Sequence, residues 1–342
     1  MSGNELKVPS FEKINYSLRP AKNIERKMIL EALYRLSSFH SIREYQYIGF
    51  GSTFFTDFSL FHKNMGINDL YSIEIEEDYK ERFEFNKPFS AINMIYGHSN
   101  EALNHSSINW DKRKIVWLDY DYPITADVMI DIDNVIKKCI SGDVFLITLN
   151  ANTKEVYSNP KSSDASIEKA FNKFKSQFIL EVGDDEFIDY SDLVDASVKP
   201  SDLAGWGLAN VCSKIIKKRI HRKLYERNEV NEDIGQNDNL NYKQIFDFHY
   251  QDGSMMMTVG FVFYSNSEWT NFNQCNFNDF NFCQNLPFSI KAPNLTFKEL
   301  QYIDSCLPNN TEKIEPMKIP IEEIEEYIKV YRYFPTFLEA YR

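Results

Sequence analysis

The chain is short of the residues that break or staple structure. Glycine and proline occur only 12 times each in 342 residues, which excludes collagen-like and Pro-rich low-complexity architectures. Its five cysteines (Cys139, Cys212, Cys275, Cys283, Cys306) are scattered, with no Cys-x-x-Cys pair and no Cys/His cluster at zinc spacing. That pattern argues against a metal centre and a secreted disulfide framework, and points to reduced thiols in a cytoplasmic protein. No run approaches the roughly 18 apolar residues of a membrane span, and residues 1–20 lack the apolar core of a signal peptide. Positive charge is also in deficit. With 38 Lys and Arg against 50 Asp and Glu, the net charge of −12 argues against indiscriminate nucleic-acid binding over the whole surface.

Aromatic residues are plentiful. Phe (27) and Tyr (20) help bring the hydrophobic share to 43%, ample for a sizeable globular core. The length suits one large domain or two small ones.

Strand and helix signals alternate over the first half. Strands are expected at Tyr45–Phe50, Leu70–Ile75, Ile92–Tyr96, Ile115–Leu118 and Val144–Leu149. Helices are expected at about Phe54–Met65, Glu77–Phe85, Ala126–Ile140 and Ser162–Phe178. A further helix follows Pro20, with Ile24, Met28, Ile29, Ala32, Leu33 and Leu36 on one face and Lys22, Arg26 and Lys27 on the polar side. This alternation implies a parallel sheet with helices on both faces. Leu203–Arg227 reads as a longer helix and Asn228–Asn241 as a polar loop. Ile245–Tyr250 and Met256–Tyr264 flank Asp252-Gly253, a hairpin signal, so the sheet ends in an antiparallel pair. Residues 271–285 read as an irregular connector packed by its aromatics. Thr296 with Glu299 forms a capping box that opens a helix through Cys306, and Ile321–Val330 is a last amphipathic helix. The expected organisation is an N-terminal arm and helix (1–40), a core (41–266) and a mainly helical extension (267–342).

The stretch from Tyr45 to Glu76 carries the chemistry. A strand enters Gly49-Phe50-Gly51, a helix follows, and a second strand ends near the acid Glu74. Open α/β sheets build nucleoside sites in this way: the glycines admit the ligand to the backbone, and the acid accepts hydrogen bonds from ribose hydroxyls. A dinucleotide fingerprint would need a third glycine where Phe54 stands. A bulky side chain there would obstruct the pyrophosphate.

S-adenosylmethionine (SAM) has no pyrophosphate. Over about residues 40–265 the chain resembles the class I SAM-dependent methyltransferases. Gly49, Gly51 and Ser52 match the glycine loop, and Glu74 the ribose-binding acid. The turn Tyr96-Gly97-His98-Ser99 matches the adenine-side turn, with His98 where that family usually has Asp; adenine recognition would then use His98 or Ser99. Trp117-Leu118-Asp119-Tyr120-Asp121-Tyr122-Pro123 matches the acidic loop beside the transferable methyl. The resemblance implies a Rossmann-like open, mostly parallel twisted sheet with an antiparallel last strand. It also implies SAM as cofactor, catalytic or positioning roles for Asp119, Asp121 and Tyr122, and a pairing of Arg19 or Lys22 with the cofactor carboxylate. Thr148 and Asn150 fall on the same carboxyl-end rim.

The acidic loop is partly similar to loops of tRNA guanine and other amino methyltransferases, which suggests an exocyclic base amine as acceptor. Seven basic residues and His221 between Lys214 and Arg227 offer a phosphate stripe for RNA or DNA. Ile215, Ile216, Ile220 and Leu224 also make that helix plainly amphipathic, so a solvated face accounts for the same charges. Two alternatives stand beside this reading: O-methylation of a protein or small molecule, and a SAM-binding regulator without catalysis. The C-terminal extension is the candidate surface for a homodimer or a protein partner.

Overall fold

The computed structural model describes residues 19–152, 164–183, 186–233, 238–283 and 286–335. In chain order the strands are β1 (Gln46–Gly49), β2 (Asp69–Glu74), β3 (Ile92–Tyr96), β4 (Lys114–Asp119), β5 (Val144–Asn150), β6 (Ile179–Gly183), β7 (Glu186–Asp189), β8 (Leu240–Asp252), β9 (Ser254–Ser265) and β10 (Phe288–Ile290). The α-helices are α1 (Pro20–Tyr34), α2 (Thr56–Leu60), α3 (Lys80–Asn86), α4 (Ser99–Ala102), α5 (Ala126–Lys138), α6 (Asp164–Ser176), α7 (Gly207–Asp233), α8 (Trp269–Asn273), α9 (Phe297–Cys306) and α10 (Ile321–Val330).

Eight strands form one sheet in the order β3-β2-β1-β4-β5-β9-β8-β10. The pairs from β3 to β5 are all parallel, and β9 runs antiparallel to both β5 and β8. The parallel strands are apolar on both sides because helices cover both faces. Ile48, Val116, Leu118 and Ile147 pack beneath α5 and α7, while Tyr47, Ile115, Trp117 and Leu146 pack beneath α1 and the aromatics Phe58 and Phe61. Gly253 turns the β8–β9 hairpin with φ +101°, a conformation that favours glycine.

The expected strands and helices from Tyr45 to Tyr264 occur in the expected order, with the β6–β7 hairpin added between α6 and α7. Ile92–Tyr96, Phe297–Cys306 and Ile321–Val330 keep their expected bounds. The Thr296 box is made in full: Thr296 accepts from the Glu299 amide at 3.3 Å and Glu299 accepts from the Thr296 amide at 2.7 Å. Phe272, Phe277 and Phe282 bury the connector as expected. The expected arm over residues 1–15 and the helix start at Ser162 lie outside the described residues.

The loop expectation needs correction. The expected loop from Asn228 is helical through Asp233, and β8 begins at Leu240. Asn228, which reads as a loop residue, clamps Leu240 through both its amide and its carbonyl, at 3.0 and 3.1 Å. The β6–β7 hairpin and the short edge strand β10 carry no strong sequence signal. On the polar side of α1, Lys22 and Arg26 are buried, because carboxylates from other elements meet them.

Helix α1 is latched to the sheet at its first turn. Asp252, at the end of β8, accepts from the amides of Ala21 (3.1 Å) and Lys22 (2.8 Å), supplying the cap that Arg19 does not. Asp252→Ala is expected to cost about 1 kcal/mol of stability, whereas Asn, an equally good cap, should cost much less. Urea melts of the two variants check this.

Candidate active site

The carboxyl ends of β1, β2, β3 and β4 open on one rim, and strand order reverses between β1 and β4 there, which in open α/β sheets is the ligand crevice. The glycine turn that leaves β1 is forced by its neighbours. A Cβ on Gly49 would come within 2.7 Å of the Tyr47 hydroxyl and 3.0 Å of the Trp117 carbonyl. One on Gly51 would come within 2.5 Å of Ser72 Oγ and 2.7 Å of the Phe55 ring. Neither has positive φ, so what glycine provides is room. The strain falls instead on Ser52 (φ 49°) and Phe55 (φ 45°), and such backbone is held only where the surroundings fix it.

Glu74 is part of what fixes it. Its Oε1 accepts from the Ser52 amide at 2.6 Å. Burial pushes the Glu74 carboxyl up to about 7, against the pull of the Ser52 and Gly51 amides and the Ser72 hydroxyl.

His98 is exposed just before α4, while Ser99 turns inward and donates to Asp131. Tyr120 donates to the same Asp131 oxygen at 2.6 Å. Burial raises the Asp131 carboxyl to about 6, opposed by those two hydroxyls. The other Asp131 oxygen is buried without a hydrogen-bond partner, as are Tyr96 Oη and Asn100 Oδ1. Buried polar atoms of this kind usually have a partner, so these three are open to a water or a ligand group. The sequence reading missed Asp131, although an acid among Val128, Met129 and Ile132 on the buried face of α5 was a readable signal.

At the end of β4, Asp119 and the next residue, Tyr120, point to opposite faces. Asp119 joins the α1 side, and Tyr120 stacks edge-on with Phe50 (5.3 Å) and tilts against Tyr122 (5.1 Å), making an aromatic wall. Asp121 is exposed. Asn150 pins the loop: its amide donates to the Tyr122 carbonyl at 3.1 Å and its side chain to the Asp121 carbonyl at 3.3 Å. Thr148 is buried, accepting from Trp117 Nε1 at 2.9 Å and bonding Thr258 at 2.7 Å.

Lys22 does not stand free. Its ammonium lies 2.9 Å from both Glu25 and Asp119, and 4.6 Å from the Trp117 ring centre. Burial pulls the Lys22 pKa down, but Asp119 and then Glu25 outweigh it, and the net shift is upward. Arg26, one turn on, pairs with Asp57 of α2. The structure thus brings Lys22 to Asp119, and Glu74 to Ser52, and leaves His98 and Asp121 facing solvent.

The basic helix is largely occupied. Arg219 grips Asp133, Arg222 pairs with Asp192, Lys223 with Glu226, Lys218 donates to the Asp192 carbonyl, and Arg227 donates to the Ile136 and Cys139 carbonyls. Among the described residues no group of three or more His, Cys, Asp or Glu is placed to hold a metal, and no helix is long and apolar enough to cross a membrane. All five cysteines are free thiols.

A sheet ordered 3-2-1-4-5 and closed by an antiparallel strand, with a glycine turn under an acid at the tip of its second strand, defines a class I SAM-dependent methyltransferase. Residues 14–341 match the family described as "Putative O-methyltransferase", and the chain belongs to that family. It is therefore a methyltransferase with SAM as its cofactor. No curated protein matches the sequence. Similar solved structures include a "putative S-adenosylmethionine dependent methyltransferase" from Listeria monocytogenes (8% identity, covering 68% of this chain and 97% of that one, TM-score 0.37). A "putative hemolysin" from Lactococcus lactis (7%, 72% and 89%, 0.36) and Trm1 from Pyrococcus horikoshii with S-adenosyl-L-methionine (11%, 69% and 55%, 0.35) are also similar. Scores this low carry no argument; the strand order does.

Proposed function

We propose that this methyltransferase acts on an oxygen of a small molecule or protein, and not on the exocyclic amine of a nucleic-acid base. The observation that carries this reading is the commitment of Lys218, Arg219, Arg222, Lys223 and Arg227 to partners within the chain. A phosphate backbone would have to displace them, and phosphate contacts supply most of non-specific nucleic-acid affinity. The family's description as an O-methyltransferase agrees.

SAM supplies an electrophilic methyl on a sulfonium, and its transfer leaves a neutral thioether. In this reading Glu74 takes the ribose hydroxyls, the Gly49–Ser52 turn lies along the cofactor, and Ser99 with Asp131 faces the adenine side. Asp119, fixed by Lys22, lines the methyl side. Phe50 and Tyr122 wall the crevice and exclude water. Asp121, exposed beside them, takes the proton of an acceptor hydroxyl.

The test is transfer of labelled methyl from SAM into fractionated RNA, DNA, protein and small molecules. Label as an ester or ether in the last two supports the proposal; label confined to RNA or DNA bases overturns it.

The Glu74 carboxyl gives a pH signature. A carboxyl near 7 must ionise to accept two hydroxyls well, so SAM affinity should rise with pH. Affinity at pH 6 is expected to be about tenfold below that at pH 8. Glu74→Gln should flatten the profile, as calorimetry across that range would show. The sign for folding is opposite: a carboxyl raised from 4.5 to about 7 costs stability as pH climbs through that interval.

A further inference from the structure

The charged groups behind Asp119 are deeply buried. Side-chain exposure is 1% for Lys22, 0% for Glu25, 5% for Arg26 and 7% for Asp57, but 20% for Asp119, the member that reaches the rim. Asp252 joins them at the head of α1. Among the described residues four carboxyl groups (Glu25, Asp57, Asp119, Asp252) thus stand near Lys22 and Arg26, with Arg19 at the helix head; burial pushes the Glu25 carboxyl up, and the Lys22 ammonium beside it pulls it back toward the charged form. In so dry a place a charge acts over a longer range than in water.

We propose that Glu25 makes the crevice prefer the charged sulfonium ligand over the neutral thioether product, acting through Lys22 and Asp119. Glu25 is a positioning residue: fully buried behind Lys22, it touches neither ligand. With Glu25 ionised, Lys22 is shared between two carboxylates and Asp119 keeps negative character at the rim. Without it, Lys22 neutralises Asp119 alone. SAM and S-adenosylhomocysteine carry the same amino, carboxylate and ribose groups, so those contributions cancel in the ratio of their affinities. Only the sulfur charge differs, and the ratio reads the field at that point. A preference of this sign expels the product after transfer, since the ligand loses its positive charge in place. The proposal rests on the cofactor lying against Asp119, as read above.

The experiment is calorimetric titration at pH 8 with SAM, S-adenosylhomocysteine and sinefungin, whose amine keeps a cation near the sulfur position. The wild type, Glu25→Gln and Asp252→Asn are compared. Each variant removes one negative charge, and Asn retains the helix cap, so the second stays informative should the first fold poorly. The expected result is that SAM and sinefungin weaken about fivefold in either variant while S-adenosylhomocysteine is unchanged. Equal losses for all three ligands would make Glu25 merely structural and overturn the proposal. No change in any would show that Glu25 carries no charge that matters, and would overturn it too. Failure of the wild type to bind any of the three would instead sink the underlying cofactor reading.

Discussion

Glu74→Ala is expected to weaken SAM binding by about a hundredfold, roughly 3 kcal/mol, the scale for losing hydrogen bonds to a charged acceptor. Two effects add. The ribose hydroxyls lose their acceptor, and the Ser52 amide loses the carboxylate that holds it 2.6 Å away. Ser52 then has no reason to stay at φ 49°, so the turn after β1 relaxes as well. Calorimetry should show micromolar-scale binding by the wild type collapse in the variant. A Glu74→Ala protein that binds as tightly as the wild type would remove Glu74 from the site. Glu74→Gln should fall between the two, because it still accepts from Ser52 with half the polar set.

Lys22→Met is expected to be the most destabilising single change at the rim, by about 3–5 kcal/mol, because it leaves Glu25 and Asp119 facing each other without their shared cation. Equilibrium urea unfolding measures it. The double variant Lys22→Met with Glu25→Gln should recover about half of that loss, since one stranded carboxylate is gone. If the double variant is instead as unstable as the sum of the two single changes, the pair is not coupled. Lys22→Met should also lower methyl transfer, because Asp119 loses its anchor even in molecules that remain folded.

The contrast between Glu74 and Lys22 shows what the sequence makes legible. Glu74 was readable because its meaning lies in local order: strand, glycine turn, helix, strand, acid. Asp119, Ser99 and the hairpin at Asp252-Gly253 were readable for the same reason, and so was the strand alternation that builds the sheet. Periodicity places Lys22 on the polar side of its helix, and the resemblance offers it to the cofactor carboxylate, but neither foretells its burial against Asp119. Its burial depends on Asp119, 97 positions away, and on Trp117 and Tyr250 around its ammonium. Asp131 is similar: it sits among apolar neighbours and looks anomalous until Ser99 and Tyr120 are known to meet it. The basic residues from Lys214 to Arg227 were legible as charge but not as commitment, because Asp133 and Asp192 reach them only through the fold. The β6–β7 hairpin and β10 are too short for periodicity to mark.

The latching of α1 also bears on how the enzyme is made. Its first turn is capped by Asp252, some 231 positions later, and its Glu31 is met by Tyr333, 302 positions away. A chain emerging from the ribosome makes α1 well before these partners. The parallel strands β1 to β5 can pair as they appear, but the buried Lys22 face must wait for the β8–β9 hairpin. The α1 face of the sheet is therefore completed only once the β8–β9 hairpin has been synthesised. Until then an apolar helix stays exposed, which makes the nascent chain a natural client for a holding chaperone.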